Sequence, residues 1–139
     1  SNNEPDGTDI RKFESLGTRS FASEMSIGAA ADFHEVIGAK RKEARLRYLQ
    51  HYWTGKVRNI PNVIVNTPVE IQRSCAIANV GIKGIPPGQL AVTLHRKYNI
   101  YTVAIDSANV HGCRITPNIY TTPKDLDQLV KALTELAGH

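Results

Sequence analysis

Residues 113–127 read CRITPNIYTTPKDLD, and this stretch determines how the C-terminal part of the chain folds. The residues around Arg114 predict a short strand, which the Pro-Asn pair that follows should end in a turn. The sequence TPKD at residues 122–125 then predicts a helix start, because threonine is a good N-cap, proline suits the first helical position and aspartate favours the first turn. An arginine rooted on a strand can offer two parallel donors to a carboxylate. From the residues alone, two hypotheses for Arg114 stay open: a substrate-binding residue that holds a carboxylate, or an ordinary strand arginine paired with an acidic neighbour.

Upstream of this stretch the pattern is first helical. Residues 21–37 are rich in Ala and Ile and predict a helix that is mostly buried. Residues 39 to about 54 predict a second helix, ended by Gly55. Its predicted apolar stripe consists of Ala44, Tyr48 and Tyr52, flanked by Leu49 and Trp53.

Four extended segments follow, with a helix between the second and the third. The predicted strands cover residues 62–66, 75–80, 100–105 and 110–116. We expect the first two to pair as antiparallel neighbours. A helix is predicted from about residue 85 to residue 98, where Asn99 ends it, and the apolar stripe of the last helix contains Leu126, Leu129, Val130, Leu133 and Leu136. The fold class expected from this order is α+β, with two layers, in which helices cover a small, mainly antiparallel sheet of about four strands.

Length and composition indicate a single globular domain. The chain has 139 residues, of which 41% are hydrophobic, enough for one core. Residues 1–12 are polar and without periodicity, so we expect a disordered or extended arm that begins with a tag remnant, Ser1-Asn2, and a domain over 13–139. No apolar run approaches the roughly 20 residues of a membrane-spanning helix. We expect a cytoplasmic location by default and leave open an export signal further upstream in the full-length protein.

The two cysteines indicate neither a metal site nor a disulfide framework. Cys75 and Cys113 lack the short spacing of zinc ligands, and both lie in apolar, strand-like contexts. We expect both to be small buried hydrophobic residues, and we predict no metal site.

Positive charge is concentrated in the second helix. Between Lys40 and Arg58 there are seven Lys or Arg residues and one acid, Glu43, so the charge of this segment is +6. The rest of the chain carries −2, which gives the net charge of +4. One hypothesis is therefore a stand-alone module that binds nucleic acid through this helix, with its aromatic residues as stacking partners. We favour a solvated basic face, because the aromatic residues lie on the stripe that has to be buried, and we expect neither nucleic acid nor membrane as a partner.

Three stretches resemble the class V aminotransferase-like group of pyridoxal-phosphate enzymes. They are RKFESLGT at residues 11–18, which is followed by a helix rich in small residues, LAVTLHRKYNIY at residues 90–101, and the run at residues 113–127. Together they span nearly the whole chain, and they look most similar to the isopenicillin-N-epimerase-like branch. The third stretch is the most specific of the three.

The resemblance implies the C-terminal small domain of a fold-type I enzyme that forms a homodimer. Pyridoxal 5'-phosphate would be bound mainly by the missing large domain of the same polypeptide. Arg114 would hold the carboxylate of an amino-acid substrate, and His111 and Asn118 are further candidates for substrate binding. Gly17 and Thr18 would reach the cofactor phosphate of the other subunit, since glycine allows close approach and the threonine hydroxyl can donate.

The family's Schiff-base lysine has no counterpart here. The chain's eight lysines fall in the arm, on polar helix faces or in turns, where nothing would lower a lysine pKa. We therefore expect no catalytic residue in this fragment and no activity from it alone. The reaction type of the whole enzyme, whether transamination, epimerisation or elimination, stays open, although desulfurase chemistry is disfavoured because Cys113 and Arg114 should point to opposite faces of the sheet. A further alternative is an amino-acid sensor that binds its ligand through Arg114 without chemistry.

Overall fold

The computed structural model describes residues 7–13 and 20–138, which contain four α-helices and four strands. In chain order they are α1 (Phe21–Ile37), α2 (Ala39–Val57), β1 (Val63–Val65), β2 (Ala78–Ile82), α3 (Pro87–Tyr98), β3 (Val103–Ser107), β4 (Val110–Ile115) and α4 (Pro123–Ala137). Short 3-10 turns occur at Ile10–Phe13 and Ile71–Arg73. No helix among the described residues is long and apolar enough to cross a membrane.

The four strands form one antiparallel sheet in the order β1-β2-β4-β3. This confirms the predicted α+β class and the predicted antiparallel pairing of β1 with β2. Between β3 and β4, Ala108 and Asn109 both have positive φ, of 51° and 62°, as in the two-residue turns that match the twist of a hairpin.

Helices α2, α3 and α4 pack against one face of this sheet. The side chains of Ala78, Val80 and Ile82 alternate toward that face along β2, and all three are buried. On β4, Cys113 and Ile115 are buried on the same face. The opposite face carries exposed or half-buried residues, which include Ile64, Asn79, Val103 and Arg114.

The buried face of α2 differs from the predicted stripe. Leu49, Trp53 and Val57 are fully buried, whereas Tyr48 is 49% exposed. The helix is thus rotated relative to the prediction, because the aliphatic residues and Trp53 fill the space between the sheet and α4, while the polar tip of Tyr52 hydrogen bonds to Asp127 on α4 at the surface. The burial of Val57 also explains why α2 continues past Gly55, which costs a helix only about 1 kcal/mol.

Helix α1 forms as predicted but is not buried. Its N-cap, Ser20, accepts a hydrogen bond from the Ser23 amide, and none of its residues is buried in this structure. The chain divides into two compact units, Ser1–Gly38 and Ala39–His139. Within the first unit the described residues offer α1 no larger element to pack against, since the other element there is the 3-10 turn at Ile10–Phe13.

That turn shows that part of the predicted arm has local helical structure. The boundary predicted at residue 12 stays a prediction.

Two strand boundaries shift for reasons of local pairing. The predicted strand 75–80 begins only at Ala78, because Ala78 pairs with Ile115, the last residue of β4, and residues 75–77 extend beyond that strand. The third strand begins at Val103 because Asn99, in the left-handed conformation, and Ile100 still donate hydrogen bonds to the end of α3.

The start of α4 agrees with the prediction. The Thr122 hydroxyl accepts from the Asp125 amide, and the Asp125 carboxylate accepts from the Thr122 amide. Leu126, Leu129 and Leu133 are buried, and Val130 and Leu136 are half-buried against the core, as the predicted stripe requires.

Candidate functional site

Arg114 lies in the middle of the sheet, on the face away from the helices. On β4 it pairs with Asn79 of β2 on one side and with Val103 of β3 on the other. Its exposed side chain lines a shallow cavity of about 290 Å³. The other lining residues are Thr67, Ile77, Ala78, Asn79, Ile105, Ser107, Ala108 and Val110.

The Arg114 guanidinium has no partner among residues 7–13 and 20–138. It takes part in none of the ion pairs or side-chain hydrogen bonds of this part of the chain, and no acidic residue lines its cavity. A guanidinium with its five donors unused, beside an apolar wall, is suited to bind a planar anion such as a carboxylate through two parallel hydrogen bonds. The geometry is therefore compatible with the predicted role of Arg114.

Asn79 is a residue of this site that the sequence reasoning missed. Its side chain lies beside Arg114, its Oδ1 accepts a hydrogen bond of 2.6 Å from Asn66 Nδ2, and its Nδ2 is buried without a partner in the described structure. One hint of a special role for Asn79 was present in the sequence, because asparagine is uncommon inside strands. Only the strand order shows that this asparagine is a neighbour of Arg114.

His111 does not share the Arg114 cavity. The two residues are three positions apart on β4 and so point to opposite faces of the sheet. The His111 ring is 2.5 Å from the Asp106 carboxylate, its cross-strand partner, and lines a separate cavity of about 400 Å³ with Ile85 and Pro86. The role of His111 in substrate binding stays a prediction. Its position does not support that role, because His111 and Arg114 line different cavities.

Asn118 lies in the turn that leads into α4. Its Oδ1 accepts from the Ile119 amide at 2.7 Å, and its own amide donates to the Thr121 hydroxyl. Asn118 thus stabilises its own turn, and it does not line the cavity of Arg114. Gly17 and Thr18, the predicted cofactor-binding residues, lie outside the described residues.

The lysines whose side chains the structure describes do not fit a covalent cofactor site. Lys42 is half-buried, and Lys40, Lys56, Lys83, Lys97, Lys124 and Lys131 are exposed. A hydrogen bond to Asp127 raises the pKa of Lys56, and one to Tyr98 raises the pKa of Lys97, opposite to the shift that a nucleophilic amine requires. None of these seven amines is therefore suited to form a Schiff base with a cofactor.

The two cysteines occupy different environments, and one of them differs from the prediction. Cys113 is fully buried, and burial raises the pKa of its thiol. Cys75 is exposed instead of buried, because it precedes β2 in a segment without a pairing strand, and it lines a cavity with Glu43, Leu46 and Arg47. Neither cysteine lines the cavity of Arg114. In the described structure no group of three His, Cys, Asp or Glu residues could hold a metal ion.

Several basic residues of α2 and its end make tertiary contacts. Arg45 donates to the Thr121 carbonyl and holds the turn before α4, and Arg47 donates to the carbonyls of Ile71 and Ser74. Arg58 donates to the Thr67 carbonyl, and Lys56 binds Asp127. The predicted solvated basic face is thus smaller than the sequence suggests, since these cations brace loops and α4.

Comparisons with known proteins identify relatives over most of the chain. The family described as "Aminotransferase class-V" matches residues 7–129. Isopenicillin N epimerase of Streptomyces clavuligerus is 26% identical over an alignment of 133 residues, and the match covers 93% of this chain and 33% of the epimerase. The chain therefore spans about a third of the length of that curated relative.

Solved structures of this fold include cysteine desulfurases. The apo cysteine desulfurase of Thermococcus onnurineus NA1 matches with a TM-score of 0.80 and 17% identity, over 93% of this chain and 34% of the desulfurase chain. The cysteine desulfurase CsdA of Escherichia coli matches with a TM-score of 0.71 and 17% identity, over 87% of this chain and 31% of its own. At this identity the two structures support the fold alone, whereas the sequence match over residues 7–129 supports membership. The chain belongs to the aminotransferase class-V family.

Proposed function

We propose that this chain is the substrate-side, C-terminal small domain of a pyridoxal-phosphate-dependent enzyme that acts on an amino acid. The observation that carries this proposal is the Arg114 guanidinium on the exposed face of the sheet. Within residues 7–13 and 20–138 it has no ion-pair partner, and no acidic residue lines its cavity. Family membership and the chain's coverage of about a third of the epimerase agree with a part of a larger enzyme.

In this proposal the missing large domain of the same polypeptide binds pyridoxal 5'-phosphate and supplies the lysine. The bound cofactor would act as an electron sink for the amino-acid substrate. Arg114 would fix the substrate carboxylate and so its orientation. Gly17 and Thr18 would reach the cofactor phosphate across a homodimer, and the fragment alone would be inactive.

Among the activities of related proteins, an aminotransferase or an epimerase-like enzyme fits this chain better than a desulfurase. A desulfurase needs a reactive cysteine near the substrate that Arg114 would hold. Cys113 is buried on the other face of the sheet and Cys75 lines a different cavity. We therefore assign the chain to the aminotransferase or isopenicillin-N-epimerase-like branch.

An amino-acid sensor without chemistry would use the same cavity, so the unpaired Arg114 also favours this second function. The two proposals differ in what the full-length protein does. An enzyme turns its amino acid over with pyridoxal phosphate, whereas a sensor binds the amino acid reversibly and leaves it unchanged. Nucleic-acid binding through residues 40–58 is less favoured, because Arg45, Arg47 and Arg58 already bind backbone carbonyls.

The test is an Arg114→Ala variant of the full-length protein, compared with Arg96→Ala. Arg96 is an exposed arginine in the last turn of α3 and lies outside the cavity. Loss of a charge-assisted hydrogen bond costs about 1.5–3 kcal/mol, so Arg114→Ala should raise KM for the amino acid roughly 10- to 100-fold. The visible absorbance of the cofactor should be unchanged in both variants.

An unchanged KM in Arg114→Ala would defeat the proposed role of this residue. Reversible amino-acid binding without turnover by the full-length protein would select the sensor instead.

A further inference from the structure

We propose that Asn79 is a second hydrogen-bond donor beside Arg114, and that the pair binds the carboxylate of a ligand whose neighbouring part is aliphatic. This inference rests on the proposed function, because it takes Arg114 as the residue that holds a carboxylate. It adds a specificity-determining residue from another strand and the chemical class of the ligand. Asn79 and Arg114 are directly opposed cross-strand partners, whose side chains share one face of the sheet and lie about 4.5–5.5 Å apart at Cβ.

The orientation of the Asn79 amide is determined by its neighbour Asn66. The Nδ2 of Asn66 donates to the His111 carbonyl at 3.1 Å and to Asn79 Oδ1 at 2.6 Å. One side-chain atom of Asn66 contacts both the His111 carbonyl and Asn79. Because a carbonyl oxygen only accepts hydrogen bonds, this atom of Asn66 must be the nitrogen. Asn79 must therefore present its oxygen to Asn66, and its NH2 group is directed elsewhere.

The NH2 group of Asn79 is buried and has no acceptor within residues 7–13 and 20–138. A buried donor without a partner is costly, so such a group is rare unless another molecule supplies the acceptor. Asn79 lines the same cavity as Arg114, and none of the described residues that line this cavity carries a carboxylate. Two adjacent donor groups without an acceptor form a site that an anion would satisfy.

Gly112 provides the space that this arrangement needs. A Cβ atom at residue 112 would lie 2.5 Å from Asn79 Oδ1 and 2.5 Å from the Val80 carbonyl oxygen. Any larger residue would displace the Asn79 amide or the strand. The glycine in β4 thus leaves room for the Asn79 amide in its observed position.

The remaining wall of the cavity indicates what is attached to the carboxylate. Ile77, Ile105, Ala108 and Val110 form an apolar wall, and Thr67 and Ser107 add hydroxyl groups. A second carboxylate placed against this apolar wall would lose hydration without gaining a cationic partner, since Arg114 is the one cation among the described lining residues. The site therefore favours a monocarboxylate with a short aliphatic body over a dicarboxylate.

Because Asn79 Nδ2 is shielded from water, its contact with a ligand requires a small shift of a covering side chain. Arg114 is exposed and makes no ion pair or side-chain hydrogen bond within residues 7–13 and 20–138, so its side chain can move without breaking one.

The experiment is an NMR titration of the 139-residue chain with sodium butyrate, sodium succinate and sodium phosphate. The signals to follow are the Asn79 side-chain NH2 group and the Arg114 Nε–H group. We expect butyrate to shift both signals with one common dissociation constant, and we expect succinate and phosphate to bind at least fivefold more weakly. A shift of the Asn79 NH2 signal separates ligand contact from a merely structural role.

The decisive variant is Asn79→Asp, with Asn99→Asp as the matched control. Aspartate keeps the shape of the side chain and still accepts from Asn66, but it replaces the donor by an anion next to Arg114. Butyrate binding should weaken at least tenfold. Asn99 caps α3 outside the cavity, so Asn99→Asp adds the same charge and should leave binding within twofold.

The outcomes distinguish this inference from the proposed function. Suppose that Arg114→Ala abolishes butyrate binding, that Asn79→Asp binds butyrate as tightly as the wild type, and that butyrate does not shift the Asn79 NH2 signal of the wild type. The role of Asn79 is then refuted, and the role of Arg114 is retained. If Arg114→Ala binds butyrate as tightly as the wild type, both are refuted. Tighter binding of succinate or phosphate than of butyrate would refute the aliphatic monocarboxylate as the ligand class.

Discussion

Cys113 and Arg114 are consecutive residues of β4 that face opposite sides of the sheet. The Cys113 side chain is fully buried among the helices, with its thiol 3.6 Å from the Pro87 carbonyl, and Arg114 is exposed at the cavity on the other side. One residue therefore contributes to the core and the next to the candidate site. The alternation of a strand makes these two roles compatible within two positions.

The burial of Cys113 predicts selective chemical labelling. Native protein treated with iodoacetamide near neutral pH should acquire one adduct rapidly, on the exposed Cys75, because burial protects the Cys113 thiol and raises its pKa. Mass spectrometry of the intact chain and of its peptides measures this. Cys75→Ser should abolish the rapid adduct, and both cysteines should react in denaturant. Rapid labelling of Cys113 in the native protein would contradict its placement in the core.

The contact between α2 and α4 predicts a dependence of stability on pH. Lys56 and Tyr52 donate to the Asp127 carboxylate, and these hydrogen bonds lower the pKa of Asp127, Lys56 having the larger effect. A carboxyl group with a lower pKa in the folded state contributes stability above its unfolded pKa, near 4, and loses it as the pH falls through the folded pKa. The pKa of Lys56 is raised, mainly by Asp127, so its contribution is lost only as the pH rises above about 10.

The measurement is urea denaturation of the wild type and of Asp127→Asn at a series of pH values. The wild type should be more stable by a constant, small amount between about pH 5 and pH 9, since exposed ion pairs contribute little. This difference should shrink as the pH falls below about 4. Glu70→Gln, which breaks an exposed pair with Arg73 away from α4, is the control. If the stability difference between the wild type and Asp127→Asn grew below about pH 4, the stabilising role of the Asp127 carboxylate would be refuted.

The rotation of α2 predicts unequal effects for two of its aromatic residues. Trp53→Ala should destabilise the domain by about 3–5 kcal/mol, because Trp53 is fully buried between the sheet and α4. Tyr48→Ala should cost at most about 1 kcal/mol, since Tyr48 is 49% exposed and contacts mainly Tyr52 and Arg45. Thermal or urea denaturation of the two variants measures the difference. Equal losses of stability in the two variants would contradict the burial seen here and favour the apolar stripe predicted from the sequence.

Much of the fold could be predicted from the sequence where the cause is local. The start of α4 depends on Thr122 and Asp125, three residues apart, and the end of α3 depends on Asn99, which adopts the left-handed conformation readily. These two features agree with the structure because the groups that stabilise them are close in the chain. The antiparallel pairing of β1 with β2 also agrees, since strands that are consecutive in the chain usually pair.

The prediction failed where the outcome depends on a distant partner. The face of α2 is selected by α4 and the sheet, and the start of β2 depends on where β4 ends. Cys75 is exposed for the same reason, since it lies before Ala78, where the pairing of β2 with β4 begins. Arg45 and Arg58 read as surface charge in the sequence, but their donors bind carbonyls brought near by tertiary contacts.

The class of the fold, the caps of α3 and α4 and the position of Arg114 on a strand follow from the amino-acid sequence, because propensities, caps and alternation act within a few residues. The residues that surround Arg114 follow from the tertiary fold instead. The order β1-β2-β4-β3 brings Asn66, which follows β1, next to Asn79 of β2, and Asn79 next to Arg114 of β4. The physical reason is that cross-strand neighbours are selected by backbone pairing over long separations in the chain, and residue composition does not encode that pairing locally.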